Sequence, residues 1–204
     1  MSNVVEDPVP FLEDALAAAK ERLRGNLGRD CRISIHVQMS EELAGIVERI
    51  DYERFRPELQ YTLEELRDRG GKRDFALFVL TCGGEPTAFL YGYADEQDAT
   101  RFFIDSVATL IEGKGIGSIL VTLALVYSYD AGYRGVGLYT EEVDERGRHL
   151  VKFYEDLGFH VVEEDPERGV VMSSELEPEK LSSACHRFIG IESEDQKFRP
   201  LRPM

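Results

Sequence analysis

Residues 101–117 read RFFIDSVATLIEGKGIG, and the chain continues to Ala131 as SILVTLALVYSYDA. The first nine of these residues read as a strand, 101–109. Gly113, Gly115 and Gly117 then break the chain into a turn. From Ile116 to Ala131 the residues are apolar over a length that suits a largely buried helix, and Gly132 stands just past its end. A strand, a glycine turn and a buried helix in that order make an anion site. The first N–H groups of a helix are unpaired and lie at the positive end of its dipole, and glycine lets a phosphate come close to them.

Three phosphate-binding turns compete for residues 112–117. A P-loop places Ser or Thr after its Lys, whereas Lys114 is followed by Gly115. A dinucleotide turn, G-x-G-x-x-G, would put its third glycine at Ser118 or at Leu120, according to its start. The acetyl-CoA turn, Q/R-x-x-G-x-G/A, is matched at Gly115 and Gly117. A glycine turn that only makes a tight connection stays open at this point.

Outward from this unit the order of elements is legible. Residues 11–24 have helical spacing, with Gly28 beyond their end, and 31–39 alternate as a half-buried strand. Ser40 opens a helix through about Arg54, stopped by Pro57. Thr62 and Glu65 have capping-box spacing for a short helix over 62–69. The apolar runs 75–82 and 87–94, joined by Gly83-Gly84-Glu85-Pro86, read as a hairpin. On the other side come a strand at 134–140, a helix at 148–157 ended by Gly158, and strands at 160–164 and 169–173. Residues 178–204 turn polar, with three prolines, and read as a tail that drapes or dangles. Interleaved strands and helices give an α/β (α+β) class. The expected organisation is an extension with one helix over 1–30, a domain over 31–177, and the tail.

The net charge of −15 argues against nucleic acid as the main partner, since phosphate backbones demand a basic surface. It fits a cationic substrate, or simply solubility. Cys31, Cys82 and Cys185 are odd in number and far apart, without metal spacing; reduced thiols in a cytoplasmic protein are expected, with no metal. No run is apolar for long enough to span a bilayer, and the start has no signal-peptide pattern. A membrane partner is not expected.

Phe102 to Phe159 resembles the core of the GNAT (GCN5-related) N-acetyltransferases. Asp105-Ser106-Val107-Ala108 runs toward Gly-Lys-Gly-Ile-Gly. The apolar helix ends at Ala131-Gly132-Tyr133 and is followed by Gly137-Leu138-Tyr139-Thr140. Phe153-Tyr154-Glu155-Asp156-Leu157-Gly158-Phe159 is similar to the family's F-Y-x-x-L-G-F. With the upstream elements, the resemblance covers about residues 31–175. This chain departs from the pattern at Glu112, where the family usually has Arg or Gln, and at Gly147, where it often has Asn. The connection from Val107 to Gly113 is also short.

The resemblance implies a mixed, mostly antiparallel central sheet flanked by helices, whose two central strands, 101–109 and 134–140, splay apart. It implies acetyl-CoA as acyl donor and an amine acceptor: a small molecule, an amino acid, or a protein N-terminus or lysine. Pantetheine would pair with Val107, Ala108 and Thr109. The pyrophosphate would lie on Gly113, Lys114, Gly115, Ile116, Gly117 and Ser118, with Phe153 beside the cofactor. Tyr154 would be the general acid, or else a core tyrosine packed on Phe153. Asp105, Glu141 and Glu142 are candidate bases, set against a solvated acidic loop at 141–145. Arg146, Arg148 and Lys152 meet the 3′-phosphate or form a solvated face. A non-catalytic acyl-CoA sensor and an α/β interaction protein remain as alternatives, and a homodimer is left open.

Overall fold

A computed structural model describes residues 10–144, 146–165 and 169–191 of the chain. In chain order the elements are α1 (Leu12–Leu27), β1 (Cys31–His36), α2 (Glu41–Arg54), α3 (Leu63–Gly70), β2 (Ala76–Cys82), β3 (Glu85–Ala94), β4 (Arg101–Thr109), α4 (Ile116–Ala131), β5 (Gly135–Thr140), α5 (Leu150–Glu155), β6 (His160–Asp165), β7 (Gly169–Glu175) and α6 (Pro178–Ala184). The local signals act as expected. Ser40 Oγ accepts from the Leu43 N–H at the start of α2, and Thr62 and Glu65 close a full capping box on α3.

The strands form one sheet in the order β1-β2-β3-β4-β5-β7-β6. Every neighbouring pair is antiparallel except β4–β5, which is parallel. That parallel pair is short. Arg101 to Ile104 pair with Gly135 to Leu138, and there the register stops. From Ser106 to Thr109, β4 is paired on its β3 side alone.

A bulge sits at the point of separation. Tyr91 pairs with Ser106 and Gly92 with Ile104, so Asp105 is the extra residue. One inserted residue inverts which side chains face which layer. Before the bulge, Phe102 and Ile104 join the core under α1 and α4, and Phe103 faces α2 and α3. After it, Val107 packs against the first core and Ala108 belongs to the second.

The first core is built on α4, where every residue from Ile119 to Val126 is buried. Eight consecutive buried residues leave no solvent face on a helix of 3.6-residue period. The sheet covers one side of α4; α1 and the C-terminal turns cover others. The second core holds Ala44, Val47 and Ile50 of α2 and Leu66 of α3 against Leu77, Phe89 and Tyr91.

Two expectations need correction. Residues 178–191 do not drape. Pro178 occupies the first turn of α6, where a missing N–H costs nothing. Leu181, Cys185 and Ile189 then recur every four residues and are buried in the first core. The remainder of the expected tail, 192–204, lies outside the described residues. The thiols are not all reduced either. Cys31 and Cys82 face each other across β1 and β2 and form a disulfide over a separation of 51 residues. Their distance in sequence hid a direct cross-strand pairing, and the inference of a reducing compartment from free thiols lapses with it. Cys185 is free and buried, and burial pushes its thiol up to about 12.

Closing a loop of that size restricts the unfolded chain by about 4 kcal/mol in the chain-entropy account. Thermal melts with and without reductant should therefore differ, with the lower midpoint in reductant, while a Cys82→Ala protein should melt alike in both. Identical wild-type melts would show that the disulfide does not contribute.

Candidate active site

The diverging ends of β4 and β5 enclose a cleft of about 630 Å³. Its floor is β4 from Phe103 to Thr109, and one rim is the turn from Ile111 to Ser118. Leu138 to Glu141 of β5, Phe153 and Tyr154 of α5, and Arg54, Phe55, Leu59 and Tyr61 of the α2–α3 segment complete the wall. Of the site residues expected from sequence, all line this one cleft except Lys114, Glu142, Arg146 and Lys152.

Gly115 is the N-cap of α4 and takes a left-handed conformation, φ 72°. That backbone disfavours any residue with a Cβ. The first-turn N–H groups of Ile116, Gly117 and Ser118 open beside it, on a wall of the cleft. A second glycine serves packing, since a Cβ on Gly117 would come 3.4 Å from Phe153 Cζ. The turn is also held from outside. Asn26 Nδ2, at the end of α1, donates to the Lys114 carbonyl at 3.0 Å.

Tyr154 is both a core residue and part of the cleft wall. Its ring packs edge-on against Phe153 at 4.9 Å and Phe159 at 5.7 Å, and it also lines the cleft. Burial holds its hydroxyl above the ordinary tyrosine range, so it stays protonated.

The carboxylates are less free than the sequence suggests. Asp105, on the bulge, accepts from Arg69 Nε at 2.7 Å, and the Arg69 guanidinium lies 3.6 Å from the Tyr61 ring centroid. Glu141 pairs with Arg56, and Glu112 with Arg54, Arg146 and, at 3.6 Å, Arg148. The hydrogen bond from Arg54 is the main reason that Glu112 titrates below the usual carboxylate range. Asp144 is engaged by Arg148, and Lys152 by Asp156 one helical turn away. Glu145 lies outside the described residues. The acidic run at 141–145 is thus partly spent on internal ion pairs.

Behind Asp105 lies a group that the sequence reading passed over. Asp51 is 1% exposed, on the buried face of α2. One oxygen accepts the Tyr61 N–H at 2.9 Å; the other has no partner, and neither does the buried Tyr91 hydroxyl. Burial raises the Asp51 carboxyl to about 6. An aspartate in the apolar stripe of Ala44, Val47 and Ile50 was the available signal. Among the described residues, no group of three His, Cys, Asp or Glu side chains could hold a metal, and no helix is long and apolar enough to cross a membrane.

Comparison with known proteins agrees with this geometry. The sequence profile described as "Acetyltransferase (GNAT) family" matches residues 41–159, more than half of the chain. A mycothiol acetyltransferase of Thermomonospora curvata is 30% identical over 102 residues, 48% of this chain. That stretch spans about a third of the relative's length, 33%. Among solved structures, the ribosomal-protein-S18-alanine N-acetyltransferase of Escherichia coli superposes with a TM-score of 0.58 at 14% identity, over 71% of this chain and 94% of that one. An aminoglycoside 6'-N-acetyltransferase complexed with coenzyme A gives 0.61 at 14% identity, over 72% and 97%. At these identities the superpositions show the fold.

The half-satisfied Asp51 generates a pH prediction. Its folded pKa lies above the unfolded value of about 3.9. Between about pH 4 and 6 the folded state therefore binds the extra proton, and stability falls as pH rises through that window. Asp51→Asn keeps an acceptor for the Tyr61 N–H and carries no charge. It should flatten this dependence and stabilise the protein at pH 7 by on the order of 1–3 kcal/mol, read from denaturant melts across pH. Parallel pH profiles for the two proteins would refute it.

Proposed function

This chain belongs to the GNAT acetyltransferase family, and we propose that it moves the acetyl group of acetyl-CoA to a primary amine by direct attack of the amine on the thioester. Acetyl transfer from acetyl-CoA comes with the family; the acceptor class and the residue roles are our reading. The observation that carries it is the separation of β4 from β5 after Ile104, beside a glycine-capped helix start. The free edge of β4 over Val107, Ala108 and Thr109 suits the amide groups of pantetheine. The turn from Gly113 to Gly117, with Ser118, suits the pyrophosphate, because its N–H groups and helix dipole favour an anion. Phe153 packs on Gly117 and would border the cofactor.

The acceptor would enter past Phe55, Leu59 and Tyr61, on the α2–α3 side. The names of the relatives mention mycothiol, a ribosomal-protein alanine and aminoglycosides, which fits an amine acceptor without selecting one. Attack on the thioester carbon gives a tetrahedral intermediate; its collapse expels the CoA thiolate, and the attacking nitrogen loses a proton. Tyr154 would protonate the sulfur, a role supported by a buried hydroxyl that remains neutral and by its place in the cleft wall. Of the candidate bases, Glu141 is the more available. Its pair with Arg56 is at the surface, where such pairs are worth little, whereas Asp105 is held by Arg69 in a mostly buried pair. Asp105 then braces the cleft wall through Arg69.

Two measurements test this reading. Gly115→Glu adds bulk and charge at a left-handed position and should weaken acetyl-CoA binding about tenfold or more. Unchanged affinity by calorimetry, in a folded protein, would remove the turn from the cofactor site. Tyr154→Phe removes one oxygen and should lower kcat about 100-fold while leaving acetyl-CoA affinity nearly intact. Wild-type kcat, with chemistry rate-limiting, would mean that another group protonates the sulfur. Tight acetyl-CoA binding with no turnover of any amine would favour a sensor.

A further inference from the structure

We propose that Arg54, Arg146 and Arg148 form a phosphate-binding cage, and that the Glu112 carboxylate is an internal stand-in which a phosphate of coenzyme A displaces. The inference rests on the cofactor reading above. Its starting point is the departure at position 112, where a carboxylate precedes the glycine turn. The structure accounts for that carboxylate. The same oxygen, Oε1, takes Arg54 from the end of α2 and Arg146 from the β5–α5 loop, with Arg148 at 3.6 Å.

One carboxylate is a poor match for three guanidinium groups. Each guanidinium carries five donors in a planar fork, and one oxygen cannot satisfy them. Asp144 takes part of Arg148. The cluster still holds a positive surplus, in a chain whose net charge is −15. A phosphate offers more oxygens and more charge to the same forks. The location is also right, since Arg54, Arg148, Glu112 and the opening turn of α4 all line one cleft. The arginines thus supply, from other elements, the positive charge that residue 112 lacks.

The exchange is physically accessible. The Arg54 side chain is only 11% exposed and is held in place, whereas that of Glu112 is 39% exposed and can turn to water. Gly113, next to it, has no atom within 4 Å of the position of a Cβ, so the backbone there has room. Phosphate entry replaces one set of ion pairs with a stronger set, and no covalent step is involved.

Calorimetric titration with coenzyme A and with dephospho-coenzyme A tests the proposal. Glu112→Gln should tighten coenzyme A binding by roughly fivefold, the scale of a partly exposed ion pair. Arg148→Gln should weaken binding by a similar factor, and Glu112→Gln should still give a gain in that background, because Arg54 and Arg146 keep their pairs with Glu112. If Arg148→Gln weakens both ligands equally, the cage holds the pyrophosphate; if it weakens only coenzyme A, it holds the 3′-phosphate. Either result supports the cage. Should Glu112→Gln misfold by melt, the Arg148→Gln titrations decide alone, since that residue is exposed. Unchanged or weaker coenzyme A binding in folded Glu112→Gln, or unchanged binding in Arg148→Gln, overturns the cage. The cofactor reading still stands if Gly115→Glu abolishes binding. A wild-type protein that binds neither ligand defeats both.

Discussion

The extra residue at Asp105 is the constraint on which the rest depends. A strand in the middle of a sheet normally spends its N–H and C=O groups on both neighbours. After Ile104, β4 spends them on β3 alone. Backbone groups without partners are costly unless water or a ligand takes them. The gap is therefore a demand for hydrogen bonds as much as a space. An extended, amide-bearing chain is the kind of molecule that meets it. The same bulge swaps the faces of β4, so Val107 and Ala108 are presented to layers opposite to those the simple alternation assigns.

Charge organises the cleft around that gap. Three arginines of the α2–α3 segment each reach across to a carboxylate of the sheet half: Arg69 to Asp105, Arg56 to Glu141, Arg54 to Glu112. The α2–α3 wall of the cleft is thereby laced to its strands and to the glycine turn. The pairs differ in burial, and so in worth. Asp105 and Arg69 are held in a mostly buried network with Tyr61, while Arg56 and Glu141 are open to solvent and to salt.

Much of this was legible in the sequence, for identifiable reasons. β4 and α4 were read to the residue, because glycines and an unbroken apolar run leave no competing register. The caps on α2 and α3 follow from side chains three residues apart. What escaped was long-range or disguised. Cys31 and Cys82 became neighbours through strand pairing alone. The C-terminal helix was masked by Pro178 and by charged residues, although Leu181, Cys185 and Ile189 carry a helical period. Of the cleft, the glycine-turn half was visible because its motif is local. The arginines of the α2–α3 segment were not, since nothing in a helix surface announces which carboxylate it will meet 30 to 90 residues on. Asp51 was visible only as one acid in an apolar stripe.

The bond from Asn26 to the Lys114 carbonyl has a consequence for inheritance. α1 precedes the stretch shared with the family profile, and α6 follows it. Both lie on the back of α4, whose front end is the glycine turn. A helix outside the matched stretch is thus part of the scaffold of the turn inside it. Lineages that carry the domain with different ends would have to support the same turn by other means.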